Sequence, residues 1–305
     1  MDIYLPIAEI SVNLLVVIAI GGAVGLVSGL FGVGGGFLIT PLLIFIGVPP
    51  PVAVATGANE IVASSMSGIM AHWRRRTVDF KMGSVLSVAG VFGSGAGVLI
   101  FGFLQRIGQI DIAIGLSYVL LLGSVGGLML VESVRTIFDR RAGIERPPAT
   151  RHQWFHGLPL KMRFPRSRLY TSVIPILGLG FFIGVLSAIM GVGGGFILVP
   201  ALIYLIGMPT AVVVGTSLFQ VLVVSAFTTL FQSWANQTVD ILLALLMLFG
   251  AVVGAQYGAR AAQHLPGEKL RAMMALLVIG VALRVAWGLI SAPEDVFTLV
   301  TGGAR

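Results

Sequence analysis

Long runs of apolar residues alternate along this chain with short polar segments. Eight runs approach or exceed the ~20 residues that cross the hydrocarbon core of a bilayer, and two shorter apolar pieces each follow a glycine cluster. The predicted spans are residues 10–31, 50–71, 82–104, 110–131, 171–190, 211–233, 240–262 and 271–290, and the short pieces are residues 36–48 and 195–208. The pattern predicts an all-α integral membrane protein with about ten membrane segments, eight long and two short.

The apolar pattern of the first half of the chain recurs in the second half. Residues 25–37 align with residues 184–196 at an offset of 159, and eight of the thirteen aligned residues are identical. The tripeptide Thr-Val-Asp also recurs, at residues 77–79 and residues 238–240. Order and spacing are kept between the two copies, so we interpret them as an internal repeat.

Basic residues divide the chain further and indicate its orientation. Nine of the 19 Lys and Arg residues lie between the two copies, within the segment of residues 133–170. We therefore predict an N-terminal membrane repeat (residues 1–132), a basic linker (residues 133–170) and a C-terminal membrane repeat (residues 171–305). Residues 72–81 hold four more basic residues. Cytoplasmic loops are enriched in Lys and Arg, so we place this loop and the linker in the cytoplasm.

The equivalent loop of the second copy, residues 233–240, contains no Lys or Arg. Its neutrality favours the opposite side of the membrane, which requires each short piece to cross. Two inverted five-segment halves result, with both termini outside the cell in a multi-pass protein of the inner (plasma) membrane. If residues 36–48 and 195–208 re-enter instead, each half has four crossings and the halves are parallel.

Composition agrees with a membrane protein and excludes several classes of site. Only 10% of the residues are charged, against roughly 25% in a typical soluble domain, and the mean hydropathy is +1.01. The net charge of +7 is interpreted as topological rather than as a nucleic-acid interface. The chain has no cysteine, which excludes disulfides and thiolate chemistry. No metal or cofactor is expected.

Both copies carry the sequence Gly-Val-Gly-Gly-Gly, at residues 32–36 and residues 191–195. Glycine clusters destabilise helices, and unwound backbone at membrane depth has to be buried in protein or line a wet cavity. A helix that begins near Phe37 or Phe196 would direct its positive N-terminal end at this break, and such ends bind anions. Two such ends predict one central anion site. The alternative is close packing of helices through small residues.

The two copies are followed by further matching motifs, and together these resemble a known family. "GVGGGFLITPLLIFIGVPPPVAVATG" and "GVGGGFILVPALIYLIGMPTAVVVGTSLFQ", followed by "WRRRTVDF" and "QTVD", are similar to the TauE/SafE family of sulfite exporters. The resemblance implies a multi-pass carrier of sulfite, sulfoacetate or another organosulfonate. The residues alone imply only a small anion. This chain has "ATGANE" in the first copy where the second has "GTSLFQ", so specificity and coupling could differ between members.

Glu60 is the most informative charged residue, because it lies midway along a predicted span. An ionised carboxylate is costly there and usually serves a function. Its repeat equivalent is the neutral Gln220. We therefore assign Glu60 to coupling, by protonation during transport or by substrate gating. The alternative is a structural carboxyl group paired with a donor on a neighbouring helix.

Short polar side chains on the paired spans complete the predicted site. Hydroxyl and amide groups can hold sulfonate oxygens without a buried counter-ion, although each alone is more often a helix–helix hydrogen bond. The predicted substrate-binding residues are Gly34, Gly35, Gly36, Thr56, Asn59, Gly193, Gly194, Gly195, Thr216, Ser217 and Gln220.

Two further sets of repeated residues are interpreted as structural. Asp79 and Asp240 fall at span entrances, where an Asp caps the following helix. Four glycines spaced in pairs favour close helix packing. These are Gly93, Gly97, Gly254 and Gly258.

Other functions fit less well. The chain has no Walker A sequence and no HEXXH zinc motif, and its four His residues lie in or beside loops, so we expect no enzyme. The expected partners are a small anionic substrate, the lipid bilayer and a coupled proton, with no nucleic acid. The alternatives left open are a passive anion channel and a carrier of a different small organic anion. Saturable counterflow separates a carrier from a channel.

Overall fold

The computed structural model describes residues 2–31, 35–141, 159–262 and 267–291. In these residues there are ten helices and two β-hairpins, and the same series of elements occurs twice. The first series is β1 (Asp2–Leu5), β2 (Ile10–Asn13), α1 (Leu14–Phe31), α2 (Gly36–Phe45), α3 (Pro50–Arg74), α4 (Phe80–Arg106) and α5 (Ile110–Arg141). The second is β3 (Lys161–Phe164), β4 (Leu169–Ser172), α6 (Val173–Met190), α7 (Gly195–Tyr204), α8 (Thr210–Ala235), α9 (Ile241–Ala262) and α10 (Gly267–Ile290).

The helices confirm the predicted all-α membrane class with eight long segments and two short ones. Seven of the described helices are long and apolar enough to cross a membrane. The eighth long helix, α3, has 25 residues and is more polar, since it contains Asn59, Glu60 and several serines. Both short helices, α2 and α7, have ten residues. The predicted inversion of the two halves stays a prediction.

The two hairpins were not predicted from the sequence. Strand β2 occupies residues 10–13 and strand β4 ends at Ser172, so the predicted span starts at residues 10 and 171 were wrong. Strand β3, the start of β4 and the end of α5 lie in the segment assigned to the linker. Each hairpin strand of the first half has its counterpart 159 residues later. The hairpins therefore belong to the repeat and precede its first helix in both halves.

The halves are interleaved rather than side by side. Helix α1 packs along α9, and its equivalent α6 packs along α4, so each contact joins one half to the other. Helix α3 packs against its own equivalent α8, and α5 against α10. Exchanging every helix for its equivalent leaves these principal contacts unchanged. The arrangement has the contact pattern of a pseudo-two-fold axis that passes between α3 and α8.

Glycines permit the close approach of the interleaved helices. A Cβ on Gly254 of α9 would overlap the carbonyl oxygen of Gly22 on α1, and one on Gly93 of α4 would overlap that of Phe181 on α6. Gly97 and Gly258 approach backbone atoms of the same partner helices. The packing interpretation of these four residues is confirmed.

Replacing Gly254 by alanine is expected to destabilise the protein by about 1–3 kcal/mol, because backbone atoms must move to admit the methyl group. The midpoint of thermal unfolding in detergent should fall by roughly 3–10 °C. Gly280→Ala on α10 is the matched control, since nothing lies within 4 Å of its added Cβ. Equal midpoints for the two variants would contradict the packing role.

Candidate functional site

The two short helices begin at the glycine clusters, and their first turns meet. Helix α2 starts at Gly36 and α7 at Gly195. The rings of Phe37 and Phe196, the second residues of these helices, lie 5.3 Å apart between centroids. A Cβ on Gly36 would overlap the carbonyl oxygen of Val192 in the other glycine cluster. The positive ends of both helix dipoles are thus brought together near the middle of the molecule.

The second glycine cluster adopts a backbone that only glycine accepts readily. Gly191, Gly193 and Gly194 have φ values of +69°, +68° and +76°, in the left-handed region that costs other residues about 1–2 kcal/mol. Gly191 ends α6 by donating its N–H to the Ser187 carbonyl oxygen at 2.9 Å. Gly194 immediately precedes α7. The glycines therefore interrupt the helical backbone between α6 and α7. The predicted site residue Gly34 lies outside the described residues.

This second glycine loop, residues 191–194, lies between the central helices α3 and α8. A Cβ on Gly191 would lie 2.5 Å from the carbonyl oxygen of Val54 on α3. One on Gly193 would lie 2.8 Å from Cγ2 of Ile61 on α3 and 3.0 Å from Oγ of Ser225 on α8. The loop of the second half therefore touches the central helices of both halves.

The centre is closed to solvent in this conformation. Phe37, Ile61, Phe196 and Val221 are each at most 1% exposed. Val221 is the repeat equivalent of Ile61, and both side chains border Gly193. The apolar contacts around the helix ends therefore exclude water from this centre.

Glu60 and Gln220 occupy equivalent buried positions. Neither side chain is exposed, and among the described residues neither has a hydrogen-bond partner. A buried polar group without a partner costs free energy, and an ionised one costs more. The amide nitrogen of Gln220 lies 3.1 Å from the position that a Cβ on Gly90 of α4 would take. Gln220 therefore lies at the contact between α4 and α8.

Thr56 and Thr216 bond to the repeated Thr-Val-Asp segments of the opposite halves. The hydroxyl of Thr216 accepts from the backbone N–H of Asp79 at 2.9 Å, and that of Thr56 accepts from the N–H of Asp240 at 3.1 Å. Thr216 also donates to the carbonyl oxygen of Val212. Both hydroxyls thus join the halves in this conformation. Their predicted role in substrate binding stays a prediction.

Asp79 and Asp240 cap helices as the sequence predicted, and both also hold a hairpin. Oδ1 of Asp79 accepts from the N–H of Met82, and Oδ1 of Asp240 from that of Leu243. The other oxygen of Asp79 accepts from the N–H and the hydroxyl of Ser167, in hairpin β3–β4. The Oδ2 of Asp240 accepts from the N–H of a residue in hairpin β1–β2 at 3.1 Å. Each hairpin is therefore anchored on the opposite half.

The remaining predicted residues lie in different settings. Gly193 and Gly194 lie in the break before α7 described above, and Gly195 is the first residue of that helix. Gly35 precedes α2 and packs against α1. A Cβ added to Gly35 would lie 2.7 Å from the carbonyl oxygen of Val24. Ser217 donates to the carbonyl oxygen of its own helix at Val214, and Asn59 is half-buried.

Two serines near the centre were missed by the sequence reasoning. Ser225, which borders Gly193, and its repeat equivalent Ser65 are fully buried, and neither hydroxyl has a partner among the described residues. A single serine in an apolar helix is common, and nothing in the local sequence distinguishes these two. The available signal was their equivalence in the repeat, five residues after Glu60 and Gln220.

The two hairpin faces of the molecule differ sharply in charge. Hairpin β3–β4 lies against the start of α4, where Arg166 donates to the carbonyl oxygen of Val78 and Lys81 to that of Arg163. We call the exposed cations of this face the basic surface. They are Arg74, Arg75, Arg76, Lys81, Lys161, Arg163, Arg166 and Arg168. The equivalent segments, residues 2–13 and 233–240, contain no Lys or Arg.

The fold and the composition define a polytopic helical membrane protein with two similar halves. The chain belongs to the family described as "Sulfite exporter TauE/SafE", which it matches over residues 17–285. This confirms the resemblance seen in the paired glycine motifs. The family is one of membrane transporters, and neither its description nor the relatives' names indicate an enzyme.

Several curated proteins are similar to this chain, some over most of their length and others over a short segment. A "Probable membrane transporter protein" of Xylella fastidiosa (strain 9a5c) is 33% identical over 285 residues, which cover 90% of this chain and 95% of that protein. "Probable membrane transporter protein YjnA" of Bacillus subtilis (strain 168) is 29% identical over 273 residues, covering 88% and 98%. "Sulfite exporter TauE/SafE family protein 1" of Arabidopsis thaliana is 52% identical over 46 residues, covering 15% and 10%. No solved structure matches the chain.

Proposed function

We propose that this protein is a secondary transporter that moves a small sulfur-containing anion by alternating access. The observation that carries the proposal is the meeting of two glycine-broken helix N-termini, marked by the 5.3 Å contact of Phe37 and Phe196. Each N-terminus is equivalent to roughly +0.5 elementary charge, so the pair offers about the charge that balances a monoanion. Broken helices at a repeat interface are the usual site plan of secondary transporters.

The substrate is sulfite, sulfoacetate or another organosulfonate. The family description supports sulfite, and tetrahedral or pyramidal oxyanions suit backbone N–H and hydroxyl donors. Around the helix ends, Gly36, Gly193, Gly194 and Gly195 supply backbone, and Ser217 and Asn59 supply side chains on the adjoining central helices. Thr56 and Thr216 join the site when the loops they hold move away. In this proposal Gly34 and Gly35, from the first glycine cluster, complete the substrate site.

The two halves are inverted in the plasma membrane, with the basic surface in the cytoplasm and both termini outside. Eight exposed cations on one hairpin face and none on the equivalent segments support this orientation. Parallel halves would place both equivalent loops on one side and leave their difference in charge without a cause.

Uptake of sulfite and sulfoacetate into proteoliposomes that contain the purified protein tests the proposal. Saturable uptake and counterflow of labelled sulfoacetate are expected. A channel shares the glycine-lined centre but gives no counterflow, and it is the second candidate, because backbone N–H groups at the helix ends suit either mechanism. Absence of uptake of both anions would overturn the substrate class.

Glu60 couples transport to protons in this proposal. Its carboxyl group is fully buried and has no partner among the described residues, which favours the protonated form when the site is closed. Gln220 occupies the equivalent position in the other half, and its amide group does not titrate. One half of the carrier therefore responds to pH and the other does not.

Replacing Glu60 by glutamine is expected to remove the stimulation of uptake by an imposed pH gradient, because the amide resembles the protonated acid permanently. Counterflow at equal pH on both sides should remain within about threefold of the native rate, since exchange needs no net proton movement. The control is Gln220→Glu, which should add pH dependence. Unchanged gradient stimulation in Glu60→Gln would remove Glu60 from coupling.

A further inference from the structure

A stripe of polar side chains follows one face of α8 from the glycine loop to the end of the helix. Ser225, Thr228, Gln232 and Asn236 are spaced by three, four and four residues, so they lie in one line along the helix. The first three are fully buried and Asn236 is half-buried. Residues on the other side of the same helix are apolar and exposed, among them Leu230 at 62%.

The stripe joins the centre of the molecule to one of its ends. Ser225 borders Gly193 in the glycine loop. Gln232 donates to the carbonyl oxygen of Ala188 on α6 at 3.1 Å and accepts from the amide of Asn236. Oδ1 of Asn236 lies 2.9 Å from the position that a Cβ on Gly102 of α4 would take. Helices α6 and α4 therefore contact the outer part of the stripe, at Gln232 and Asn236.

Its hydroxyl groups are not used structurally. Ser and Thr in helices commonly donate to a carbonyl oxygen one turn earlier, as Thr216 and Ser217 do on this helix. Neither Ser225 nor Thr228 has a partner among the described residues. A buried hydroxyl without a partner costs about 1–3 kcal/mol. That cost is relieved when water or a polar ligand reaches the stripe.

We propose that the α8 stripe, Ser225, Thr228, Gln232 and Asn236, is one wall of an aqueous route between the glycine loop and the membrane face on which Asn236 lies. The inference rests on the proposed transport function. Hydroxyl and amide groups can donate to an oxyanion at successive positions without the strong attraction of a cation, which would hold the ion in place. The route opens when α4 and α6 separate from α8.

The equivalent face of α3 supports the same use on the other side. Its corresponding residues on α3 are Ser65, Gly68 and His72, and the helix ends at Arg74, an exposed cation of the basic surface. Anions are therefore attracted toward the basic surface at one end of the carrier. The two halves of the route differ in charge as the two hairpin faces do.

Single cysteines test the route directly, because the native chain has none. Thr228→Cys and Gln232→Cys are compared with Leu230→Cys, which faces the lipid on the same stretch of α8. Intact cells and inverted membrane vesicles are treated with a membrane-impermeant maleimide, with and without sulfoacetate. Thiols react as thiolates, which form in water and not in lipid.

We expect Thr228→Cys and Gln232→Cys to be labelled about tenfold or more faster than Leu230→Cys, from one side of the membrane only. Sulfoacetate should slow their labelling. Equal rates at all three positions would overturn the route. If Gln232→Cys does not accumulate, Thr228→Cys with Ser225→Cys decides the result. Labelling needs no transport assay, so absence of uptake by the native protein would overturn the proposed function separately.

Discussion

Alanine at position 193 is expected to lower the rate of sulfoacetate uptake by about tenfold to hundredfold. The left-handed backbone of Gly193, at φ +68°, costs an alanine roughly 1–3 kcal/mol, and each 1.4 kcal/mol corresponds to about a factor of ten. The new methyl group would also lie 2.8 Å from Cγ2 of Ile61 and 3.1 Å from Cγ1 of Val221. The strain is thus placed where the helix ends meet.

Gly207→Ala is the matched control for this experiment. Gly207 has φ +75°, close to the value at Gly193, but nothing lies within 4 Å of its added Cβ. Both variants should fold and reach the membrane in similar amounts, and only Gly193→Ala should lose transport. Equal transport by the two variants, at equal amounts of protein, would show that the second glycine loop is not at the substrate site.

Removing the carboxyl group of Asp79 is expected to cause the largest loss of stability among single substitutions at the hairpin contacts. Asp79→Ala leaves three donors without their acceptor, the backbone N–H groups of Met82 and Ser167 and the Ser167 hydroxyl. Each buried donor left alone costs about 1–3 kcal/mol, and the lost helix cap is part of this sum. We expect a total of about 3–5 kcal/mol and a fall of roughly 5–15 °C in the midpoint of thermal unfolding in detergent.

Two controls separate the hairpin contact from a general effect of charge. Asp240→Ala removes the acceptor of two backbone N–H groups, so its loss should be smaller than that of Asp79→Ala. Asp111→Ala, at an exposed position at the start of α5, should leave the midpoint within about 2 °C. A native-like midpoint for Asp79→Ala would show that the hairpin is not held by this carboxylate.

The helices were predictable because length and apolarity determine membrane segments almost alone. The short helices α2 and α7 were predictable because glycine clusters precede them and the repeat presents the pattern twice. The hairpins were not, because each strand has only four residues, the turns contain Pro6 or Pro165 instead of a common two-residue hairpin turn, and the basic residues of β3–β4 resemble a surface linker. The two hairpins are seen to be equivalent only when the alignment at an offset of 159 residues is extended toward the N-terminus, before the glycine motif.

Candidate-site residues were predictable where a residue recurs in the repeat or carries an energetic cost within a membrane. Hydrogen bonds between residues far apart in the chain were not predictable. Glu60 stands out because a carboxyl group within an apolar span is rare. The hydrogen bonds of Thr56 and Thr216 join residues 184 and 137 positions apart, so local sequence could not reveal that these hydroxyls are already used. The α8 stripe was not predicted, because its burial depends on packing between the halves.

The interleaved packing has a consequence for how two unlike halves can work as one carrier. Because the contacts persist when equivalent helices are exchanged, a five-helix chain could make the same contacts with a second copy of itself. A pair of first halves would carry two carboxyl groups at position 60 and no basic hairpin, and a pair of second halves would carry two basic hairpins and no such carboxyl group. Joining the halves in one polypeptide permits a single titratable group and a single charged face. In the proposed carrier, the covalent connection therefore allows the two halves to differ in the carboxyl group at position 60 and in the basic hairpin.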